Sequence, residues 1–204
     1  MQPGMRWDYQ VTTEVANSRE NSDFTISIGE AELINGVPHG VRITSDGTRY
    51  YVTENETGIY RIAKRTLVES KPKIDDAPNW ILKYPYKKGT SWSNNTSPFV
   101  LRRIHPYEEL LTRGMNLKMA FQIAAENETV VVPAGRFKHC IRVDGEANFT
   151  IYADASSGYE EILINTTEWY APGVGLVKLL REEPLDNDVF AGGHVLLELK
   201  DLMY

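Results

Sequence analysis

Apolar and polar residues alternate with a period of two along most of the chain, the pattern of strands that bury one face. Trp7, Tyr9, Val11 and Val15 alternate with Asp8, Gln10, Thr12 and Glu14, and Phe24, Ile26 and Ile28 alternate with Thr25 and Ser27. Gly29 falls where a bulge would carry that run on to Ala31 and Leu33. Asn35-Gly36 and Asp46-Gly47 supply the positive φ that tight turns need, so hairpins are predicted around both pairs. The alternation resumes at 50–53 and 59–63 across a turn at 55–58, and again at 117–123, 129–132, 137–143, 149–151, 159–170, 175–181 and 193–200. Pro72, Asp75, Asp76 and Pro78 make 71–79 read as a loop, as do the Ser, Asn, Thr and Pro of 93–98. One helix is predicted, over 106–113. Pro106 stands at its first position, Glu108 and Glu109 in its first turn, Arg113 near its end and Gly114 just beyond.

Consecutive strands joined by short turns pair antiparallel, because parallel pairing needs a long crossover. Roughly ten to twelve such strands cannot stay flat, since accumulated twist makes a large sheet curl or split. The expected fold is therefore all-β and mainly antiparallel: one strongly curved sheet, a barrel or half-barrel, forming a single domain over residues 1–204 with one short helix. The 42% apolar content, spread at a period of two, describes a large inner face rather than a generic core.

Composition narrows the chemistry. The lone Cys140 cannot close a disulfide within the chain or build a thiolate zinc site. No apolar run reaches the roughly 18–20 residues of a membrane-spanning helix, and the first 30 residues lack the pattern of a signal peptide. The net charge of −6 is unevenly placed: residues 1–60 carry −5, 61–118 carry +7 and 119–204 carry −8. Lys83, Lys87, Lys88, Arg102 and Arg103 lie near Trp80, Tyr84, Tyr86 and Trp92 in the basic segment. That segment is expected to face the chain's own acidic ends; an acidic protein with no nucleic-acid motif is not expected to bind nucleic acid.

Three segments carry a family likeness: Pro3-Gly4-Met5-Arg6-Trp7-Asp8-Tyr9, Val131-Val132-Pro133-Ala134-Gly135-Arg136-Phe137 with Cys140 after it, and Trp169-Tyr170-Ala171-Pro172-Gly173-Val174-Gly175-Leu176-Val177-Lys178. Together they resemble a group of bacterial cell-envelope proteins, many of them lipoproteins, whose fold is similar to the curved half-barrel of the LolA and LolB lipoprotein carriers. The resemblance implies a periplasmic or outer-membrane-associated address, an apolar concave face and no assigned catalytic residue. Membrane attachment would come only through a lipid anchor that this chain does not carry. Read without the family, Pro133 and Pro172 end strands and the glycines after them permit corners.

Candidate catalytic groups do not assemble on paper. His139 and Cys140 are strand neighbours and point to opposite faces unless the strand breaks there, whereas Cys140 shares a face with Lys138 and Arg142, which would favour its thiolate. The expectation is an inert, partly buried thiol. His39, His105 and His194 show no metal-ligand spacing, and Asp186-Asn187-Asp188 lacks the remainder of a calcium loop. Glu108-Glu109, Glu160-Glu161 and Glu182-Glu183 are neighbours that splay apart in a strand, and no Gly-x-Ser-x-Gly elbow occurs. No catalytic residue, metal or cofactor is expected, and the protein is read as a non-enzyme.

The leading expectation is an envelope domain that binds a lipid or other apolar ligand on the concave face, with Trp7, Tyr9, Phe121 and Phe137 as the lining candidates. The alternative is a structural or assembly module that docks an envelope protein through a sheet edge or the aromatic, basic segment 80–92.

Overall fold

A computed structural model describes residues 3–106, 108–111 and 117–204. Six strands lead the chain: β1 (Arg6–Val15), β2 (Ser18–Ile34), β3 (Val37–Thr44), β4 (Arg49–Asn55), β5 (Gly58–Arg65) and β6 (Lys73–Lys83). Three short ones follow, β7 (Ser91–Thr96), β8 (Arg102–Arg103) and β9 (Glu109–Leu110). Five long ones complete it: β10 (Leu117–Val132), β11 (Gly135–Asp154), β12 (Gly158–Ala171), β13 (Gly175–Asp186) and β14 (Phe190–Met203).

All belong to one antiparallel sheet in the order β6-β5-β4-β3-β2-β1-β14-β13-β12-β11-β10-β7, with β8 and β9 attached beside β14. The first and last strands pair with each other and so join two meanders. At the first predicted hairpin, Asn35 (φ 52°) and Gly36 (φ 81°) both take the left-handed conformation that a two-residue turn between β2 and β3 requires.

The sheet curls until its edges meet, because the connection 84–90 carries the chain from one edge strand, β6, to the other, β7. No backbone ladder joins these edges. Instead the Trp80 N–H donates to Asn94 Oδ1 at 2.8 Å, and Asn94 Nδ2 donates to the Trp80 carbonyl at 2.7 Å. One side-chain amide thus replaces a missing strand pair. The result is a nearly closed barrel, further closed than the expected half-barrel.

Register shows which side chains share the inner face. Tyr9 lies opposite Phe24 and Leu199, Leu197 opposite Leu179, Leu179 opposite Glu168, and Glu168 opposite Val143, which faces Ile123. Gly145 also lies on this face. A Cβ there would stand 2.6 Å from Thr166 Cγ2 and 2.7 Å from the Phe121 ring, so its absence makes room for Phe121 to stack on Trp92 at 5.9 Å.

One end of the barrel is filled. After β7 the chain crosses the inner face, where the buried Glu183 carboxylate accepts from the backbone N–H groups of Phe99, Val100 and Leu101 at 2.7, 2.9 and 2.8 Å. Arg181 completes the arrangement: its Nε donates to Glu183 at 2.9 Å, Nη2 donates to the Ser97 carbonyl at 3.0 Å, and the guanidinium lies over the Phe99 ring. Leu101, Met119, Ile162, Ile164 and Phe190 pack into a fully buried cluster at this end.

Four expectations are corrected. Among the described residues of 106–113 no helix forms: Glu109–Leu110 pairs with Arg102–Arg103 as a small hairpin, and Tyr107 and residues 112–116 lie outside the described residues. A two-turn helix has too few internal hydrogen bonds to outweigh its nucleation cost, so pairing to the sheet wins. The loop expected at 71–79 is largely strand β6; its Pro78 is tolerated because β6 is an edge. The loop expected at 93–98 is largely β7, whose polar residues sit where the seam uses them. The basic segment does not pair with the acidic ends: among the described residues the ion pairs of 61–118 are Arg61–Asp75 and Arg102–Glu108, both internal to it. Strands β6 and β7 are the sheet edges, which leaves Lys87 and Lys88 between them in solvent.

Glu183→Ala is expected to lower the unfolding free energy by about 3–5 kcal/mol, because it orphans a buried guanidinium and three backbone donors together. Urea unfolding followed by tryptophan fluorescence measures the change; a shift within experimental error would show that the plug at 97–101 is held by packing alone.

Candidate functional site

The other end of the barrel is hollow. A cavity of about 610 Å³ opens there, within the range of small-ligand pockets. Met5, Trp7, Ile59, Leu82, Ile141 and Val174 give it apolar walls, and the turn 172–175 and Tyr204 border it. Arg42, Tyr170 and Glu54 are its charged and polar members.

The first strand shapes one wall. Trp7 and Tyr9 alternate onto the inner face, the Trp7 indole N–H donates to the Val174 carbonyl at 2.8 Å, and the Tyr9 hydroxyl donates to the Leu176 carbonyl at 2.9 Å. Both bonds tie β1 to the corner before β13 and hold it across the sheet. Burial pushes the Tyr9 phenol well above its usual range, with Arg42 pulling the other way, so the ring stays neutral.

Three inner polar groups stand apart from the apolar wall. Glu168 is half-buried and lines a smaller cavity of about 210 Å³ beside the seam. Burial raises its pKa, partly offset by the hydrogen bond it accepts from the Tyr170 hydroxyl and by the Arg181 charge. Tyr170 lines both cavities; burial and then Glu168 push its phenol up, against the pull of Arg42. Arg42, in β3 opposite Ile28 and Tyr50, has its ordinary pKa lowered by desolvation.

Of the four lining candidates, Trp7 is in the cavity wall. Tyr9 is 2% exposed and packs directly beside it in the same cluster as Met5 and Trp7. Phe121 stacks on Trp92 and borders the seam cavity instead. Phe137 packs against the Trp7 cluster from the β10–β11 hairpin, whose tip reaches β14 through a bond from the Ala134 N–H to the Leu199 carbonyl; it does not line the cavity. That hairpin is bulged between Ala125 and Val130, which re-aims its side chains off the simple alternation. Sequence reasoning missed Arg42, Tyr170, Leu82 and Ile141. Arg42 alternates with Val41 and Ile43, which marks it as solvent-facing when one face is assumed buried.

His139 and Cys140 do not converge. The strand is irregular there, with His139 at φ 58°; His139 is exposed and hydrogen-bonded to Asn127, whereas Cys140 is fully buried. Burial raises the Cys140 thiol pKa and the nearby Glu128 adds to it, so Lys138 and Arg142 do not produce a thiolate; Arg142 is spent on Glu128 at 3.0 Å and Asp144 at 3.1 Å. Among the described residues, no group of three or more His, Cys, Asp or Glu is placed to hold a metal ion. A hollow of similar size over Gly145 is lined mainly by polar residues, among them Ser91, Gln122, Asp144, Glu146 and Glu182, with Ala120 and Phe121 as its apolar members.

Fold and site together define an antiparallel, barrel-shaped β protein, plugged at one end and hollow at the other. No family model and no curated protein matches the sequence. Among solved structures, the chain is similar to one described as a "putative lipoprotein" from Parabacteroides distasonis, at 16% identity and a TM-score of 0.42, over 99% of this chain and 96% of that one.

Two outcomes follow from the buried groups. Cys140 should resist maleimide labelling in the native state and label stoichiometrically in denaturant; rapid native labelling at neutral pH would contradict its burial. A raised folded pKa means that the native state holds a proton on Glu168 through a window above the ordinary carboxylate value, so ionisation there opposes folding as pH rises. Glu168→Gln should therefore raise the thermal midpoint relative to wild type at pH 8, with the gain shrinking toward pH 4. A gain that is independent of pH, or a loss at pH 8, would refute this assignment.

Proposed function

We propose that this protein is a non-enzymatic binding protein of the bacterial cell envelope that holds an apolar molecule, such as a lipid or acyl chain, in the hollow end of the barrel. The observation that carries the reading is the cavity of about 610 Å³ walled by Met5, Trp7, Ile59, Leu82, Ile141 and Val174. An apolar hollow of this size forfeits dispersion contacts that a filled core would make, so an apolar occupant supplies what the walls lack. Burying an acyl chain of about 14 methylenes yields on the order of 10 kcal/mol before ordering costs, enough for useful affinity without a dense set of polar contacts. The envelope address rests on the three segments that resemble envelope lipoproteins, and it includes the periplasmic face of the outer membrane.

A second reading, docking of an envelope protein through 80–92, is favoured by exposed Tyr84, Lys87 and Lys88. Against it, the Trp80 ring packs against Tyr60 in a tilted pair and its backbone is bonded across the seam, and Trp92 is buried, so the segment's tryptophans are committed to closing the barrel.

The test uses a neutral fluorescent probe, N-phenyl-1-naphthylamine. Wild type should bind it saturably and enhance its emission. Ala171→Phe, which adds a ring at the cavity wall, should weaken binding at least tenfold while circular dichroism and thermal midpoint show the fold intact. Absence of saturable binding to wild type, together with no apolar molecule in native mass spectra of purified protein, would sink the carrier reading and favour docking.

A further inference from the structure

Arg42 is the unusual member of the cavity. Other arginines nearby in the fold are neutralised: Arg49 holds Glu32 at 2.6 Å and Arg61 holds Asp75 at 2.7 Å. Arg42 holds no carboxylate among the described residues, and its Nε is buried without a hydrogen-bond partner. The charges that act on it are weak substitutes. Tyr170 and Tyr9 are neutral phenols whose hydroxyl protons are already donated to Glu168 and to the Leu176 carbonyl, and Glu54 is exposed. A guanidinium stays protonated even when desolvation lowers its pKa, so the hollow carries a fixed positive charge beside its apolar wall, with the exposed Glu54 also in its lining. A buried, unpaired charge is among the costliest features a fold can hold. It also leaves a planar fork of donors matched to a carboxylate.

We propose that the cavity binds a long-chain monocarboxylate, with the acyl chain against Trp7, Leu82 and Ile141 and the carboxylate paired to Arg42. This rests on the apolar-carrier reading and names the class of its ligand. The inner wall supplies the chain's surroundings, and the ligand's carboxylate supplies Arg42 with the ion-pair partner that no described residue of the barrel provides. A neutral lipid would fill the same walls but leave the guanidinium unpaired, so the site discriminates by charge.

The experiment compares dodecanoate with dodecanol, which share a chain and differ in charge, by displacement of the neutral naphthylamine probe. Wild type should prefer dodecanoate by about 10- to 100-fold, the range of a charge-assisted hydrogen-bonded contact. In Arg42→Met, which keeps an unbranched apolar stem without the charge, dodecanoate should weaken by a similar factor while dodecanol stays level or improves. The variant should melt no lower than wild type, since it removes an unpaired charge. Equal affinity of the two ligands for wild type overturns the role of Arg42 and needs no variant to do so; the carrier reading then still stands on the neutral probe. Loss of both ligands and the probe from folded Arg42→Met assigns Arg42 to shaping the cavity and also overturns the pairing. Failure of every ligand on wild type overturns the carrier reading itself.

Discussion

The Arg181–Glu183 pair decides what kind of barrel this is. Both side chains point inward from β13, and neither reaches water. A bare carboxylate in that position would be prohibitive. It is satisfied because the chain after β7 offers three consecutive backbone N–H groups and Arg181 closes the remaining valence. The exchange is mutual: the segment 97–101 gains a fixed route across the barrel, and the ion pair gains a dry, fully bonded site. Once that route is fixed, Leu101 and Phe190 can meet Met119, Ile162 and Ile164, and this end becomes a core. The hollow is then confined to the opposite end.

Closure depends on a similar substitution of side chain for backbone. Twelve strands in sequence would leave two open edges, each a row of unpaired donors and acceptors liable to join another chain. Asn94 meets the Trp80 N–H and carbonyl with one amide, which satisfies an edge without requiring β6 and β7 to share a register. Bulges elsewhere, at Trp169–Tyr170 and Asp8–Tyr9, bend β12 and β1 at the same end. Those bends turn Trp7 and Tyr9 toward the β13 corner, where their polar tips find carbonyls and their rings remain in the wall.

What the alternation made legible was the sheet: the hairpins at Asn35-Gly36 and Asp46-Gly47, the antiparallel order and the curvature. It misled wherever an edge or a lumen changed the meaning of polarity. The residues of 93–98 look like loop because an edge strand has no hydrophobic partner to alternate against, and their use at the seam depends on a strand far away in the sheet. Pro106 and its acidic followers look like a helix start, but local capping is weak beside pairing to β8. Phe137 followed the alternation to a predicted inner position, and the bulges of the β10–β11 hairpin undid it. Trp7 lies in the cavity wall, on a face that is apolar under either assumption. Arg42 was not, since a charge between Val41 and Ile43 reads as solvent-facing until the sheet is known to close.

That last failure bears on function. In an open sheet one face is core and the other is wet, so a polar residue identifies the wet face. In a barrel with a lumen both faces can be enclosed, and the inner one can be partly polar by design. Glu168 and Tyr170 meet that situation by sharing a hydrogen bond, and Arg181 by pairing with Glu183. Arg42 meets it with no ion-pair partner among the described residues. Stability alone would favour replacing such a residue with an apolar one of the same size, because an unpaired interior charge gives nothing back to the fold. Its place on the cavity wall, rather than in the filled end, is where a charge can be compensated by something that enters and leaves.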